Sequence, residues 1–503
     1  MNKNSYFREI NNKKTFPKLN ENLKIDILII GAGIAGLSCA YEMLPYSNNI
    51  VVVDQNRIYQ NTTSSTTAKI TFQHGYIYYD LIKKHSLEDA KLYKEFNESG
   101  LNRIEDIIKK ENIDCDFKLV NSYLYALDES EIKNLENEYI AYQKLGIEAT
   151  EASIDPVISK YKALKVENQA NFNVVKYLDH LSCILVDRGV DIFEETKIVE
   201  VNNKKKPYAK AIDNFTIIAN KIIICSHYPI YKKFNFYFMK MIPQIAYAAI
   251  GKATKEIEDA NYINTDYKNT IALRYIKVDN EDKMLVSGAT HDSNKFKNEF
   301  EQINQITAFG KNHLGIDSYD YTWSGQDYSS TDYMPYVGEV KRNIYVVAAF
   351  NEWGMAASSA SAMLIRDLLV RGKSVYKKLL NPNRVKCTKE LFIYNTKMLP
   401  TLIKTRIFPQ CRTWKITPNT GKVVKYKGIP IGMYKDEDGK LYLVKAICPH
   451  MHCGLRFNPI DKTYDCKCHG SRFKYNGKKI DGPSKYDLET VDSNFFEEAQ
   501  IHE

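Results

Sequence analysis

No stretch of this 503-residue chain combines the length and freedom from charge that a membrane-crossing helix needs. The most apolar run, Ile25 to Leu44, carries Asp26, Glu42 and three glycines at fixed spacing, which fits a strand, a turn and a helix. A charged-then-apolar leader is missing from the polar stretch Met1 to Asn20, so the sequence predicts a cytoplasmic protein and leaves peripheral association with a membrane open. An arginine-rich stripe is missing too. The net charge of +9 reads as lysines scattered over a solvated surface, Lys204, Lys205 and Lys206 among them, which excludes a nucleic-acid footprint. Low-complexity sequence is absent, and 44% hydrophobic against 26% charged residues is an ordinary globular balance. A chain of this length holds two or three domains and a large core.

Cysteine is sparse over most of the sequence. Cys39, Cys115, Cys183, Cys225, Cys387 and Cys411 are isolated and read as reduced core filler. The other four fall within the 21 residues from Cys448 to Cys468, and that crowding marks a separate domain.

At the N-terminal end, the apolar run up to Ile30 has the character of a parallel strand buried on both faces. Gly31-Ala-Gly33-Ile-Ala-Gly36 then opens an amphipathic helix through Leu44, and a second strand, Ile50 to Val53, ends in Asp54. Gly31 permits the tight turn, Gly33 lets backbone N–H groups approach a pyrophosphate, and Gly36 lets helix pack on strand. Asp54, 18 residues beyond Gly36, is placed to accept from a ribose hydroxyl. Spacing alone does not separate FAD from NAD, because both present the same ADP moiety.

The hydroxyl-rich segment after Asp54, from Gln55-Asn56-Arg57 through Thr62-Thr63-Ser64-Ser65-Thr66-Thr67-Ala68-Lys69 to Gly75, resembles the flavin-approaching loop of D-amino-acid-oxidase-like (DAO) FAD-dependent oxidoreductases. Phe350-Asn351-Glu352-Trp353-Gly354-Met355 resembles that family's closing FAD motif, a strand-to-helix turn whose helix N-terminus favours negative charge on the flavin. Asn351-Glu352 stands where a glycine pair is more usual. The resemblance implies that Gly31, Gly33, Gly36, Asp54, Arg57, Thr67, Ala68, Trp353, Gly354 and Met355 hold FAD. It also implies that Val199 meets the adenine through its backbone, and that residues from about Pro243 to Tyr328 form a mostly antiparallel substrate sheet. Arg274 and His291 sit in strand-like stretches of that region and are the candidates for binding an anionic substrate, against an ordinary paired Arg and a hydrogen-bonded His. The helical period from Tyr79 to Asn112 is expected to break near Gly100.

Val385 to Pro409 carries enough apolar residues to pack on a surface, and from Trp414 the pattern becomes short strands and turns. Two loops follow, Cys448-Pro-His450-Met-His452-Cys453 and Cys466-Lys-Cys468-His469-Gly470-Ser471, offering two thiolates and two imidazoles that zinc could use. The set resembles the Rieske module, in which two cysteines hold one iron and two histidines the other of a 2Fe-2S cluster. That resemblance implies Cys448, His450, Cys466 and His469 as ligands, and a Cys453–Cys468 disulfide between the loops. Gly482-Pro483 resembles the loop that covers the cluster, and His452 stands where a small residue is usual. Such a disulfide sits uneasily with a cytoplasmic location, where thiols stay reduced, unless burial against the cluster protects it.

The expected fold class is therefore α/β: a Rossmann-like FAD-binding domain with an antiparallel substrate sheet, followed by a small all-β Rieske domain. The expected divisions are a polar tail at 1–22, the DAO-like domain at 23–384, a packed connector at 385–411 and the Rieske domain at 412–503. The combination implies an FAD-dependent oxidoreductase. Electrons would pass between a small amine or amino-acid-like substrate, FAD, the cluster and an external acceptor or donor, which could be a protein. A non-catalytic redox relay or sensor is the alternative, and the direction of flow is not written in the motifs. A Rieske oxygenase would need a mononuclear iron held by two His and a carboxylate, yet His74, His85, His180, His227, His291 and His313 show no close pairing. Phe473 replaces the Tyr whose hydroxyl bonds a cysteine sulfur in high-potential Rieske proteins. With one donor fewer to stabilise the reduced cluster, a redox titration followed by EPR is expected to place the midpoint below the respiratory Rieske range, and a value inside that range refutes the reading.

Overall fold

The structure is a computed structural model that describes residues 5–10, 14–203, 205–231, 236–266, 269–295, 297–408, 410–411 and 413–492. The outer ends of the expected tail and Rieske domain, Lys204 of the lysine run and Pro409 at the end of the connector lie outside the described residues.

The apolar strand Leu23–Ile30 is central to an eight-stranded sheet, between Thr216–Ile224 on one side and Ile50–Val53 on the other, all parallel. Leu28 stands opposite both Ile222 and Val51, so the two neighbours end level with it and their carboxyl ends open together on one edge. Ile344–Ala348 extends the parallel set, and Tyr336–Lys341 closes it antiparallel. Ligands of open α/β sheets bind at this carboxyl edge. A second sheet of nine strands is built on the long strands Met241–Gly251, Glu281–Asp292 and Tyr319–Ser330; every pairing in it is antiparallel except Asn261–Asn264 with Lys118–Tyr125. The expected substrate sheet is thus present. Two small antiparallel sheets, at 420–445 and 455–481, make the C-terminal domain.

Three sequence expectations change in the folded chain. The helix after the glycine turn, Ile34–Met43, is buried at all ten positions and is not amphipathic, because the helices Val174–Asp187 and Gly354–Arg371 cover the sides that the sheet leaves open. The helical region 78–111 does not break at Gly100. It breaks at His85, after which Ser86 caps Leu87–Glu111 by accepting from Asp89 N at 3.0 Å. Gly100 sits mid-helix because a Cβ there would lie 2.0 Å from the carbonyl oxygen of Ala356. Finally, the segment expected as a polar tail is packed. Phe7 is buried, Arg8 donates to Ser65 Oγ at 2.7 Å, and the Lys18 backbone pairs with that of Glu194 in a parallel β-bridge beside the buried Leu19.

The connector folds as two helices, Lys389–Thr396 and Met398–Ile407. Among the described residues no helix is long and apolar enough to cross a membrane.

Gly100 touches the first turn of the helix that begins at Gly354, so it governs how that helix sits. Gly100→Ala is expected to destabilise the protein by about 1–3 kcal/mol through overpacking, although alanine favours a helix over glycine by ~1 kcal/mol. Urea unfolding with flavin content measured alongside tests this, and a stabilised variant overturns it.

Candidate functional site

One continuous cavity runs along the carboxyl edge of the parallel sheet and under the antiparallel sheet. Of the residues expected to hold FAD, Gly31, Gly33, Asp54, Thr67, Ala68, Trp353, Gly354 and Met355 all line it. Gly36 lies behind, where a Cβ would come within 1.8 Å of the Gly31 carbonyl oxygen, in keeping with its packing role. Two helices, Ile34–Met43 and Gly354–Arg371, point their N-termini at the cavity, and neither N-cap residue closes its helix with a side-chain bond. Such N-termini suit phosphate and flavin oxygens. Gly33 gives the close approach: a Cβ there would stand 2.9 Å from Thr63 Oγ1. Asp54 accepts from Ala32 N at 2.8 Å and Asn56 N at 2.9 Å, and burial pushes its pKa up to about 6. The cradle, the hydroxyl-lined wall and the two helix ends fit FAD.

Two of the residues expected to contact FAD, Arg57 and Val199, do not line the cavity. Arg57 does not line the cavity; its Nη2 donates to the Lys14 carbonyl at 3.0 Å and its Nε lies 3.8 Å from Glu194. Val199 falls at a bulge between Ile198 and Glu200, so Thr196 and Ile198 line the cavity in its place while its carbonyl accepts from Lys485. The two substrate candidates also lie outside the lining. Arg274 donates to the carbonyls of Ala68 and Phe172, at 2.9 and 3.4 Å, and His291 is buried behind Tyr247, whose hydroxyl is 3.2 Å from its Nε2. Neither lines the cavity, although Tyr247 does.

Other residues supply the charge there. Lys69 lines the wall, is buried, and has its Nζ near the Tyr262 carbonyl at 3.5 Å; burial and then Arg274 push its pKa down to about 7. Glu352 lines the cavity too and is exposed within it; desolvation there and then Asp327 push its pKa up to about 8. Its backbone has φ +71°, following Asn351 at +56°, so the position where glycines are usual does adopt the left-handed conformation. Asn351 holds that turn by accepting from Ser330 N at 2.8 Å and donating to the Tyr333 carbonyl at 2.9 Å.

The second centre adjoins this cavity directly. Cys453 and Cys468 form the expected disulfide, and the Cys466 sulfur lies within 4.8 Å of both. Because those two sulfurs are bonded to each other, the thiols left for a metal are Cys448 and Cys466, both buried. The rings of His450 and His469 face each other edge-on, 5.1 Å apart. His469 Nδ1 is buried without a hydrogen-bond partner among the described residues, and burial pushes the ring's pKa down to about 3, the neutral state a metal requires. An orphaned imidazole nitrogen beside two paired thiols fits a 2Fe-2S cluster.

Strand Tyr319–Ser330 joins the two centres. Gln326 lines the cavity and donates through Nε2 to the Gly470 carbonyl at 2.7 Å, while the Tyr328 hydroxyl donates to the His469 carbonyl at 3.2 Å. His227 sits at the seam, with Nδ1 2.8 Å from Asp481 of the C-terminal domain and Nε2 2.9 Å from Asp327. Lys479 and Asp481 line the same cavity from the C-terminal side, and Lys479 donates to Gln55 Oε1 at 3.0 Å. Sequence reasoning passed over Lys69, Gln326, Asp327 and His227, which lie within quoted segments but acquire a role only when distant loops meet.

A dinucleotide cavity under an antiparallel sheet, joined to a thiol–imidazole centre, defines a flavoprotein oxidoreductase with an iron–sulfur domain. The comparisons agree and are specific: residues 26–368 match the FAD dependent oxidoreductase (DAO) family and residues 406–492 the Rieske [2Fe-2S] domain. The chain belongs to the DAO family of FAD-dependent oxidoreductases and carries a C-terminal Rieske domain. It is 32% identical over 496 residues to the protein named as Rieske 2Fe-2S iron-sulfur protein YhfW of Bacillus subtilis (strain 168), covering 97% of each chain. Gamma-glutamylputrescine oxidoreductase of Escherichia coli (strain K12) is 19% identical over 73% of this chain and 88% of its own. Glycine oxidase of Geobacillus kaustophilus shares the fold with a TM-score of 0.61 at 14% identity, over 73% of this chain and all of that one.

Burial disfavours the His227 imidazolium, but Asp481 and then Asp327 outweigh it and raise its pKa to about 10. Its contribution to stability is therefore complete below the ordinary histidine pKa near 6.5 and is lost as pH rises toward about 10. His227→Leu is expected to cost about 3 kcal/mol, since it leaves facing carboxylates without their cation, and to flatten that part of the pH–stability curve. Urea unfolding across this range, wild type against variant, reads both effects. An equal slope in the two proteins rejects the ion pairing of His227 with Asp327 and Asp481.

Proposed function

We propose that this protein oxidises a small amine or amino-acid-like substrate in the cavity and delivers the electrons, by way of the Rieske domain, to an external acceptor. The observation that carries the reading is Gln326, one side chain that both lines the dinucleotide cavity and bonds the peptide between His469 and Ser471. When bound, FAD supplies two-electron chemistry at carbon–nitrogen bonds and a 2Fe-2S cluster supplies one-electron chemistry. The residues of the chain do the rest. Lys69 offers the cavity a cation whose charge is set near neutral pH, suited to an anionic group on the substrate. Glu352 holds a proton below about pH 8 and can bind an amine once ionised. Trp353, stacked on His74 at 4.5 Å, walls the cavity with an apolar face and excludes water from it. Tyr328 and Gln326 hold the His469 loop against that wall, so that the two centres stay at one separation.

The glycine oxidase and gamma-glutamylputrescine oxidoreductase relatives support an amine-type substrate, by their names and shared fold. The expected ligands are Cys448, His450, Cys466 and His469. Anaerobic addition of a panel of amines and amino acids to the purified protein is expected to bleach the flavin and then to raise an EPR signal with average g near 1.9, roughly the value for mixed His/Cys ligation. Cofactors that respond only to a protein reductant, and to no compound of the panel, replace this reading with that of a redox relay.

A further inference from the structure

The connector between the two domains is apolar on its outer face as well as its inner one, where Met398 and Leu402 pack on the C-terminal core. In the helix Met398–Ile407 the buried positions are Thr401 and Thr405, while Leu399, Ile403 and Ile407, one face at a spacing of four, are 66%, 46% and 50% exposed. Phe408 beyond it and Phe392 and Ile393 on the preceding helix are exposed as well, at 60%, 72% and 38%. A water-facing helix carries polar residues on its outer face, and large apolar residues exposed together on one short segment mark an interaction site.

Charge is concentrated on the same segment. Residues 371–427 hold 15 Lys and Arg against a single acid, Glu390. This stretch alone exceeds the chain's net charge of +9, so the remainder is net acidic and the cations are not scattered as the composition suggested. Lys389, Lys397 and Lys404 flank the exposed apolar residues on the two helices, and Lys425 reaches the Ile407 carbonyl at 3.3 Å. Apolar side chains bordered by lysines on short helices lying along a surface are what an anionic lipid interface accepts.

We infer that the face formed by Phe392, Ile393, Leu399, Ile403, Ile407 and Phe408 docks on an anionic phospholipid bilayer. The position of this face gives the docking a consequence. The Tyr394 hydroxyl donates to the Cys468 carbonyl at 2.9 Å, Arg406 donates to the His452 carbonyl at 3.2 Å, and Gly454 packs against the Thr405 carbonyl. Both helices are therefore fastened to the loops that bear His450 and His469. Exposed Met451 lies on the first of those loops, and exposed Met239, whose carbonyl accepts from Asn395 at 2.8 Å, adjoins the helices. The docked protein holds its Rieske loops at the lipid surface, where a lipid-soluble electron acceptor is within reach. The inference stands on the surface alone and does not depend on which substrate is oxidised.

The test uses the full-length holoprotein and vesicles of phosphatidylcholine with 30% phosphatidylglycerol, roughly an anionic membrane surface, against pure phosphatidylcholine, read by co-sedimentation. Binding is expected to the anionic vesicles, to fall on raising the salt to about 0.5 M, and to drop at least about tenfold in Leu399→Glu/Ile403→Glu. The flavin and cluster spectra of that variant are expected to match wild type, which separates lost docking from lost folding. Lys397→Glu/Lys404→Glu, leaving every apolar residue in place, is expected to lose the preference for anionic vesicles. Two results overturn the inference: vesicle binding that neither pair of substitutions alters, and a wild-type dimer that Leu399→Glu/Ile403→Glu converts to monomer without any vesicle binding, since the face then belongs to a second copy of the chain.

Discussion

The hydrogen bond from the Gln326 side chain to the Gly470 carbonyl is the contact on which the arrangement of this molecule turns. Gln326 is buried, so its amide has no water to fall back on, and an unpaired buried amide would cost about 1–3 kcal/mol. The strand that carries it is paired with Met241–Gly251 along its length, so the donor is fixed by a sheet and not by a loop. The acceptor is held as firmly, since Gly470 N donates to the Cys466 carbonyl at 3.1 Å and closes the loop onto itself. Gly470 has φ +76°, and a Cβ there would meet Pro243 at 2.6 Å and the Tyr328 hydroxyl at 2.9 Å. The residue that ends the second metal loop is thus a glycine for two reasons, its own turn and the approach of the neighbouring domain.

Around this contact the seam is charged and largely buried. Arg472 donates to Asp461 at 2.6 Å and Asp465 at 3.1 Å, and Asp461 accepts from Ser324 of the flavoprotein sheet. A buried network of this kind is weak evidence for stability, because desolvation offsets the attraction. Its geometry is specific, however. A docking mode that moved Asp461 away from Ser324 would leave polar groups unpaired. Two domains that could pack in several ways are restricted to one, in which Asp481 and Lys479 of the Rieske side become walls of the dinucleotide cavity.

Where the chain keeps a local rule, the sequence was readable. The glycine turn, the strand on each side of it and the acid at Asp54 depend on neighbours within about thirty positions, and each falls where spacing places it. The two metal loops are likewise local, and their cysteines sort into one disulfide and one thiol pair as the resemblance implied. Legibility ends where a side chain's meaning is set from far away. Arg274 looks like an anion binder until the carbonyls of Ala68 and Phe172, both distant in sequence, claim its donors. Gly100 looks like a helix breaker until Ala356 is laid against it. His227 and Asp327 carry no signal at all alone, because the third member of their group, Asp481, stands 254 positions from His227.

The two histidines of the Rieske loops have different surroundings, and that difference gives the centre a direction in space. His469 is buried, with its carbonyl held by Tyr328 of the flavoprotein sheet, while Phe238 packs edge-on against both rings, 5.5 Å from His469 and 6.1 Å from His450. His450 is half-buried, on the loop that bears exposed Met451 and His452. A group held between them has one side toward the dinucleotide cavity and the other toward the outside. Gln326, Tyr328 and the Asp461 network each oppose a rotation of the Rieske domain against the flavoprotein sheet. The His469 loop is thus fixed against the flavoprotein sheet, while the turn at Met451 and His452 is exposed and takes no part in the cavity lining. One centre is in this way held by a buried loop on one side and bordered by an exposed loop on the other, an asymmetry set by packing and not by the ligands themselves.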